Sequence, residues 1–308
     1  MSGRRWLPGL PAPIEGVLWM ALAALLLTTV SAMLRPVAND IPPVQLLFFR
    51  CAISALLLLP FLIRSGWGVM RRRTLGLYTL RAALMFASML FWIYAVVELP
   101  LAEATALAFT APLFATMLAA AILAEHVGVR RWGAVIVGFI GALVIIRPGF
   151  AVMNMGVVFV LLNAASWAGA IILARILSRG DDPVTIVASM FLLATPMAMV
   201  PALFVWETPT FTSLALLVAM AVLGVLGHIA ATRALAVAET SVVVPVEYIQ
   251  LPISALLGFV VFAEVPDIYT PIGAAIIIAA VLYISHREAM QARRRATDPP
   301  APIAPPTP

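Results

Sequence analysis

The stretch PLFATMLAAAILAE at residues 112–125 resembles the stretch PISALLGFVVFAE at residues 252–264, which is one residue shorter. In each stretch a proline opens an apolar run that closes on a glutamate, Glu125 or Glu264. A shift of 140 residues also lays GVLWMALAA from Gly16 on GVVFVLLNA from Gly156. The same shift aligns Arg35 with Arg175, PV at 43–44 with PV at 183–184, and GA at 133–134 with GA at 273–274. These matches share one offset, apart from a one-residue gap before Glu264, so the chain contains an internal duplication.

The composition indicates a membrane protein. The residues are 63% hydrophobic and only 11% charged, whereas a soluble domain carries roughly a quarter charged residues. Apolar runs of nearly twenty residues recur along the chain, and each is about long enough to cross a bilayer as a helix. Ten spans are predicted, at 16–34, 44–63, 75–97, 102–123, 132–147, 156–177, 184–206, 212–236, 242–262 and 269–285.

The basic residues predict the orientation. All nineteen are arginine, and with a cytoplasmic N-terminus fourteen lie in cytoplasmic segments and two outside. Positively charged loops stay in the cytoplasm, so both termini are predicted inside and the protein in the inner membrane. The remaining three lie within spans, and because most of the arginines cluster between apolar spans, the net charge of +5 is not taken as a sign of nucleic-acid binding.

The duplication predicts two inverted halves. Each half holds five spans, and an odd number makes the second half enter the membrane from the opposite side. Secondary transporters use this arrangement because two near-equivalent halves can exchange inward-open and outward-open shapes, although duplicated halves also occur in proteins that transport nothing. The predicted organisation is an N-terminal tail (1–15), a first repeat (16–147), a second repeat (156–286) and a disordered Arg/Pro-rich tail (287–308).

Two long stretches resemble a known family. They are YAVVELPLAEATALAFTAPLFATMLAAAILAEHVGVRRWGAVIVGFIGALVIIRPG at 94–149 and EYIQLPISALLGFVVFAEVPDIYTPIGAAIIIAAVLYISHRE at 247–288. They resemble the EamA branch of the drug/metabolite transporter superfamily, and the resemblance covers residues 16 to 288. It implies ten helices, a central cavity between spans 1–4 and 6–9, and spans 5 and 10 set apart at a homodimer contact. The PVEY and SHRE segments resemble the subgroup of S-adenosylmethionine and riboflavin uptake proteins, while other members export amino acids.

Charged residues inside the predicted spans are candidates for the transport site, because charge at membrane depth is costly and usually faces a cavity or a partner. Arg81 and Glu247 lie at comparable predicted depth in different halves, so an ion pair that opens and closes with the inward gate is a hypothesis. Glu247 is also a candidate to carry a coupling proton. Arg50 is a candidate for substrate binding, with snorkelling to the outer headgroups or bracing of the fold as its alternatives.

Uncharged candidates follow helical spacing. Arg81, Ser88 and Trp92 form one stripe, and Glu247, Gln250 and Ser254 form a second. Further candidates are Asn163 and Trp167, one turn apart, and His228 and Tyr248. A helix–helix hydrogen bond is the alternative for His228, and packing or lipid contact is the alternative for the aromatic residues. Pro112 and Pro252 each remove a backbone hydrogen bond, and such matched helix breaks point toward the site of an inverted-repeat transporter.

The function predicted from these features is secondary transport of a small amphipathic or anionic metabolite by alternating access. The predicted membrane charges lean positive, which favours an anionic group on the substrate. No zinc, phosphate-loop or nucleophile motif argues for an intramembrane enzyme, and no metal or cofactor is predicted. A broad-range exporter and a passive channel are the alternatives. Uptake against export, and proton coupling against facilitated diffusion, stay open at this point.

Overall fold

The computed structural model describes residues 11–65, 75–122, 128–147, 154–177, 183–238 and 243–297. Within these residues all regular structure is helical. The helices are α1 Ala12–Ala38, α2 Pro43–Ser65, α3 Leu75–Glu98, α4 Leu101–Ala108, α5 Ala111–Ile122, α6 Val129–Ile146, α7 Met155–Leu177, α8 Pro183–Phe204, α9 Phe211–Val237, a 3₁₀ helix Val244–Ile249, α10 Gln250–Phe262 and α11 Tyr269–Thr297.

The helices are those of a multi-pass membrane protein. In the described part of the chain, seven helical segments are long and apolar enough to cross a bilayer. Three shorter apolar helices accompany them, at Trp132–Ile146, Val246–Phe262 and Tyr269–Ile284. Large apolar side chains such as Leu56, Ile136 and Val260 are exposed on the helix surfaces. Helices suit this environment because they satisfy their backbone hydrogen bonds internally, where lipid offers none.

Two predicted spans are each divided. The span predicted at 102–123 is two helices, because α4 ends at Ala108 and α5 begins at Ala111, with Pro112 in its first turn. The span predicted at 242–262 begins as the 3₁₀ helix, and Pro252 lies in the first turn of α10. Proline is tolerated in a first turn because the missing N–H has no partner within the helix there. Each helix therefore restarts just before its proline.

The helices pack in pairs that follow the duplication. α1 lies along α9 and α3 along α7, while α2 packs on α8 and α6 on α11. The shift of 140 residues converts α1 into α7 and α3 into α9. It therefore exchanges the first two pairs and leaves the other two pairs as they are.

Glycines allow the close approach of α6 and α11. A Cβ atom at Gly273 would lie 2.5 Å from the carbonyl oxygen of Gly141, and one at Gly141 would lie 2.9 Å from that of Gly273. Both distances are too short for any larger residue, so the two backbones touch at this crossing. Small residues serve this purpose between membrane helices.

The C-terminal end of the chain corrects one expectation. Disorder was predicted for 287–308, yet α11 continues to Thr297. Residues 287–297 are rich in arginine and alanine, which are strong helix formers, so the helix extends past its apolar part. Residues 298–308 and the predicted tail up to residue 10 lie outside the described residues.

Candidate functional site

Arg35, in the last turn of α1, joins four helices at one end of the bundle. Its guanidinium donates hydrogen bonds to the backbone oxygens of Val96 and Leu99, where α3 ends, and to Oε1 of Glu264. The other oxygen of Glu264 accepts a hydrogen bond from the backbone N–H of Leu101, at 2.9 Å, at the start of α4. These contacts are named the Arg35 clasp, and their end of the bundle is named the clasp end.

The Arg35 clasp is shielded from solvent. The side chains of Arg35 and Glu264 are 15% and 21% exposed, and the Arg35 guanidinium lies 4.6 Å from the centre of the Phe262 ring. Glu264 follows Ala263, whose φ of 55° is left-handed and ends α10. The clasp therefore connects the ends of α1 and α3 with the start of α4 and the end of α10.

Further hydrogen bonds join helices at the clasp end. Gln45 and Glu207 bond reciprocally, with the Glu207 N–H 2.9 Å from Oε1 of Gln45. Asp40 accepts hydrogen bonds from the N–H and the hydroxyl of Thr210, at 3.0 and 3.1 Å. Hydrogen bonds from Ser213 and Thr210 hold the pKa of Asp40 below its ordinary value. These contacts connect the loop before α2 and α2 itself with the segment before α9.

A separate ion pair lies at the end of α6 and the start of α11. Nη2 of Arg147 lies 2.6 Å from Oδ2 of Asp267. The Arg147 guanidinium also lies over the ring of Tyr269, 4.4 Å from the ring centre. The Arg147 and Asp267 side chains are 36% and 46% exposed. This pair is more open to solvent than the clasp and connects only the two helices that already pack together.

Inside the bundle, the structure brings two predicted residues of different halves together. The amide of Asn163 in α7 donates to the backbone oxygen and to the hydroxyl of Ser88 in α3, both at 2.9 Å. Trp92, one turn along from Ser88, donates from Nε1 to the hydroxyl of Ser31 in α1 at 3.2 Å. Trp167 lies half-buried against the core. The stripe on α3 thus connects α3 with α1 and α7.

Arg50 lies inside the bundle on α2 and is 8% exposed. This burial favours substrate binding or bracing of the fold over snorkelling to the outer headgroups. Among the residues that the structure describes, its guanidinium forms neither an ion pair nor a hydrogen bond. The positive charge of Arg50 acts on the imidazole of His228 in α9, and the His228 ring lies 6.5 Å from that of Phe191 in α8.

Arg81 and Glu247 do not form the predicted ion pair. Both are described residues, and no contact within 4.0 Å joins them. The cause is the packing of their helices, because α3 lies along α7 and α8 whereas the 3₁₀ helix that carries Glu247 packs on α1. Arg81 is 8% exposed. The pair is thus open in this conformation, and a gate that closes by forming it stays a prediction.

The two divided spans meet. Phe109, in the turn between α4 and α5, packs edge-on against Tyr248 of the 3₁₀ helix, with ring centres 4.9 Å apart. Gln250 opens α10 and is half-buried. The 140-residue shift places Phe109 at position 249, so the contact joins positions that differ by one residue from exact correspondence between the two halves.

Glu264 braces the start of α4 through its bond to the Leu101 N–H. The sequence shows Glu264 only as the end of a repeated stretch and Arg35 only as a repeated arginine, and their contact was not predicted. A signal was present, because Arg35 aligns with Arg175 and Glu264 with Glu125 across the duplication. Paired charges that recur in both halves at helix ends indicate contacts between helices.

Comparison with known proteins identifies relatives. The sequence profile of the EamA-like transporter family matches residues 14–147 and again 154–286. A riboflavin transporter of Vibrio cholerae is 32% identical over 287 residues, covering 92% of this chain and 96% of that protein. An S-adenosylmethionine uptake transporter of Rickettsia prowazekii is 28% identical, covering 89% and 94%. A pseudopaline exporter of Pseudomonas aeruginosa is also 28% identical, covering 88% and 96%.

A protein of known crystal structure has a similar fold. It superimposes with a TM-score of 0.60, at 18% identity, over 92% of this chain and 99% of that chain. The family profile covers nearly all of the chain in two copies, and these relatives of similar length are named as transporters. The chain therefore belongs to the EamA-like transporter family and is a multi-pass membrane transporter rather than an enzyme.

Proposed function

We propose that this transporter works by alternating access, with ten spans in two inverted repeats of five and both termini in the cytoplasm of a bacterial cell. The observation that carries the proposal is the exchange of helix pairs, in which α1 with α9 corresponds to α3 with α7. Two halves of this kind can swap conformations and so open a shared site to either side. The distribution of arginines supports an inner-membrane location with the clasp end outside.

The Arg35 clasp is the proposed outward gate. It joins the ends of α1, α3, α4 and α10, and these helices must separate at that end to admit solute from outside. Charge-assisted hydrogen bonds are among the stronger ones in proteins, so the clasp favours the outward-closed state. The contacts of Gln45 with Glu207 and of Asp40 with Thr210 support closure on the adjoining side.

The proposed substrate is a small amphipathic metabolite of the flavin, S-adenosylmethionine or amino-acid type. The relatives named for riboflavin and S-adenosylmethionine support this class. The interior supplies suitable groups, because Trp92, Asn163 and Ser88 offer an aromatic ring, an amide and a hydroxyl. Trp167, Tyr248 and Gln250 are proposed to contribute when the bundle changes conformation.

Thermal stabilisation of the purified protein tests the substrate class. A ligand that binds only the folded state adds about 2.7 kcal/mol at one hundred times its dissociation constant. Riboflavin or S-adenosylmethionine is expected to raise the unfolding temperature, whereas unrelated sugars of similar size are not. Stabilisation by neither compound, with a folded sample, would reject the proposed class.

Export is the second candidate function, and the similarity to the pseudopaline exporter supports it. An assay in cells that express the transporter and lack their own route for the ligand distinguishes uptake from export. Uptake predicts faster entry of labelled ligand from the medium, while export predicts lower accumulation of ligand made inside. Release of ligand made inside the cell, without faster entry of ligand from the medium, would assign the exporter function.

Two further features stay predictions. Proton coupling through Glu247 predicts that Glu247→Gln transports ligand at a rate independent of an imposed pH gradient.

A homodimer through the fifth and tenth spans predicts twice the monomer mass by light scattering in detergent. A monomer mass would remove the dimer without affecting the proposed transport function.

A further inference from the structure

We propose that Arg50 and His228 form a binding subsite for an anionic group of the substrate, a carboxylate or a phosphate. The inference rests on the proposed transport function and specifies which part of the ligand carries charge and where it binds. Three helices supply the subsite, because Arg50 lies on α2, Phe191 on α8 and His228 on α9. α2 packs on both α8 and α9.

Arg50 carries the main argument. A guanidinium is always charged in proteins, and an uncompensated charge inside a membrane bundle is costly. Arg50 is 8% exposed, yet no acidic side chain of the described residues pairs with it. By contrast, Arg35 is compensated by Glu264, and Arg147 by Asp267. The charge that would balance Arg50 is therefore assigned to the transported solute.

His228 adds a second donor and an adjoining ring contact. His228 lies on α9, which packs on the helix of Arg50, and the charge of Arg50 acts on the imidazole. The two groups are therefore placed on neighbouring helices that can both face one small anion. The ring of Phe191 meets that of His228 at 62°, with centres 6.5 Å apart. This contact helps fix the imidazole.

The cation and the imidazole of the proposed subsite have no equivalents at the corresponding positions of the two halves. Under the shift of 140 residues, Arg50 corresponds to Met190 and His228 corresponds to Ser88. Met190 is buried and uncharged, and Ser88 is bonded to Asn163. The corresponding positions of the two halves thus present a cation and an imidazole on one side, and a thioether and a hydroxyl on the other. An amphipathic ligand would bind between them in one orientation, with its anionic group toward Arg50.

Matched pairs of ligands test the subsite in the purified full-length protein. Flavin fluorescence measures the binding of riboflavin 5′-phosphate against riboflavin, and calorimetry measures S-adenosylmethionine against its decarboxylated form. The anionic member of a pair is expected to bind about tenfold more tightly, because hydrogen bonds to charged groups are the stronger ones. The first pair reports on phosphate and the second on carboxylate.

Variants of Arg50 separate binding from bracing of the fold. Arg50→Gln is expected to abolish the preference for the anionic ligand and leave the binding of the uncharged one within about twofold. Arg50→Lys is expected to keep part of the preference, and His228→Gln to reduce it. Arg147→Gln, far from the subsite at the end of α6, serves as the control and retains the wild-type ratio. If Arg50→Gln does not fold, Arg50→Lys and His228→Gln still decide.

Failure of the subsite differs from failure of the substrate class. If one member of a pair binds but charge gives no advantage, or Arg50→Gln leaves the ratio unchanged, the subsite is rejected and transport is not. If none of the four compounds binds, the proposed substrate class fails, and inorganic phosphate, acetate and benzoate are tested by thermal shift. Stabilisation by these anions in the wild type but not in Arg50→Gln supports the subsite, and its absence overturns it.

Discussion

The Arg35 clasp and the surroundings of Arg50 both place an arginine among apolar helices, yet they treat its charge differently. At the clasp, Arg35 is bonded to Glu264 and to two backbone oxygens at helix ends. In the interior, Arg50 has no acidic partner among the described residues and lies near His228. A fully paired arginine stabilises one conformation of the protein, whereas an uncompensated one is suited to bind a solute that arrives and leaves.

Opening the Arg35 clasp has the largest expected effect on conformation. Glu264→Ala removes the ion pair and the acceptor of the Leu101 N–H, at a cost of roughly 1–3 kcal/mol in the clasped state. The outward-open population should therefore rise about tenfold or more. The measurement is labelling of Ser31→Cys, one turn before Arg35, by an impermeant thiol reagent in a Cys51→Ala background.

The ion pair of Arg147 provides the matched control for the clasp. Asp267→Asn breaks a pair of opposite charges at the same end, but between α6 and α11 and with 46% of the Asp267 side chain exposed. Exposed pairs contribute about 0–1 kcal/mol, so the labelling rate at Ser31→Cys should change less than twofold. Equal acceleration by both variants would mean that the clasp has no specific role in closing that end.

The contact between Asn163 and Ser88 gives an intermediate effect. Asn163→Ala removes two hydrogen bonds and should lower the free energy of unfolding by about 1–2 kcal/mol. Ser88→Ala should cost less, because the backbone oxygen of Ser88 still accepts from Asn163. Thermal unfolding in detergent measures both variants, and a double-mutant cycle isolates their coupling. Additive losses would show that the two side chains do not interact.

Asp40 should give the smallest effect, visible only in acid. Its carboxylate is hydrogen-bonded and its pKa lies below the ordinary value of 3.8, so the folded state binds its proton less tightly than the unfolded state does. The stabilisation is therefore present above pH 3.8 and is lost as the pH falls through the folded-state pKa. The difference in unfolding temperature between wild type and Asp40→Asn should be constant near neutral pH and shrink below that value. A difference that grows on acidification would contradict this account of Asp40.

Much of the fold follows from the sequence because helix length and apolar character act locally. The predicted spans 75–97 and 156–177 differ from α3 and α7 by one residue. The helix breaks were predictable in kind from Pro112 and Pro252, since proline restricts the backbone wherever it occurs. That the fourth span ends at Ala108 and restarts at Ala111 depends on packing, and it was not predicted.

Side-chain partners were predicted less well, because they depend on which helices become neighbours. The Arg81–Glu247 pair was inferred from depth alone, and depth does not say that α3 faces α7 and α8 rather than the 3₁₀ helix. Asn163 and Ser88 were each identified from helical spacing, but their contact needed the pairing of α3 with α7. Arg35 was missed as a partner of Glu264 because the two residues are 229 positions apart.

Counterflow in proteoliposomes tests the alternating-access account most directly. Vesicles containing the purified protein are loaded with unlabelled riboflavin or S-adenosylmethionine and diluted into a trace of the labelled compound. A single site exposed alternately to the two sides predicts transient accumulation of label above its equilibrium level, and only in loaded vesicles. Entry of label at the same rate with and without internal ligand would instead indicate a passive channel and contradict the account.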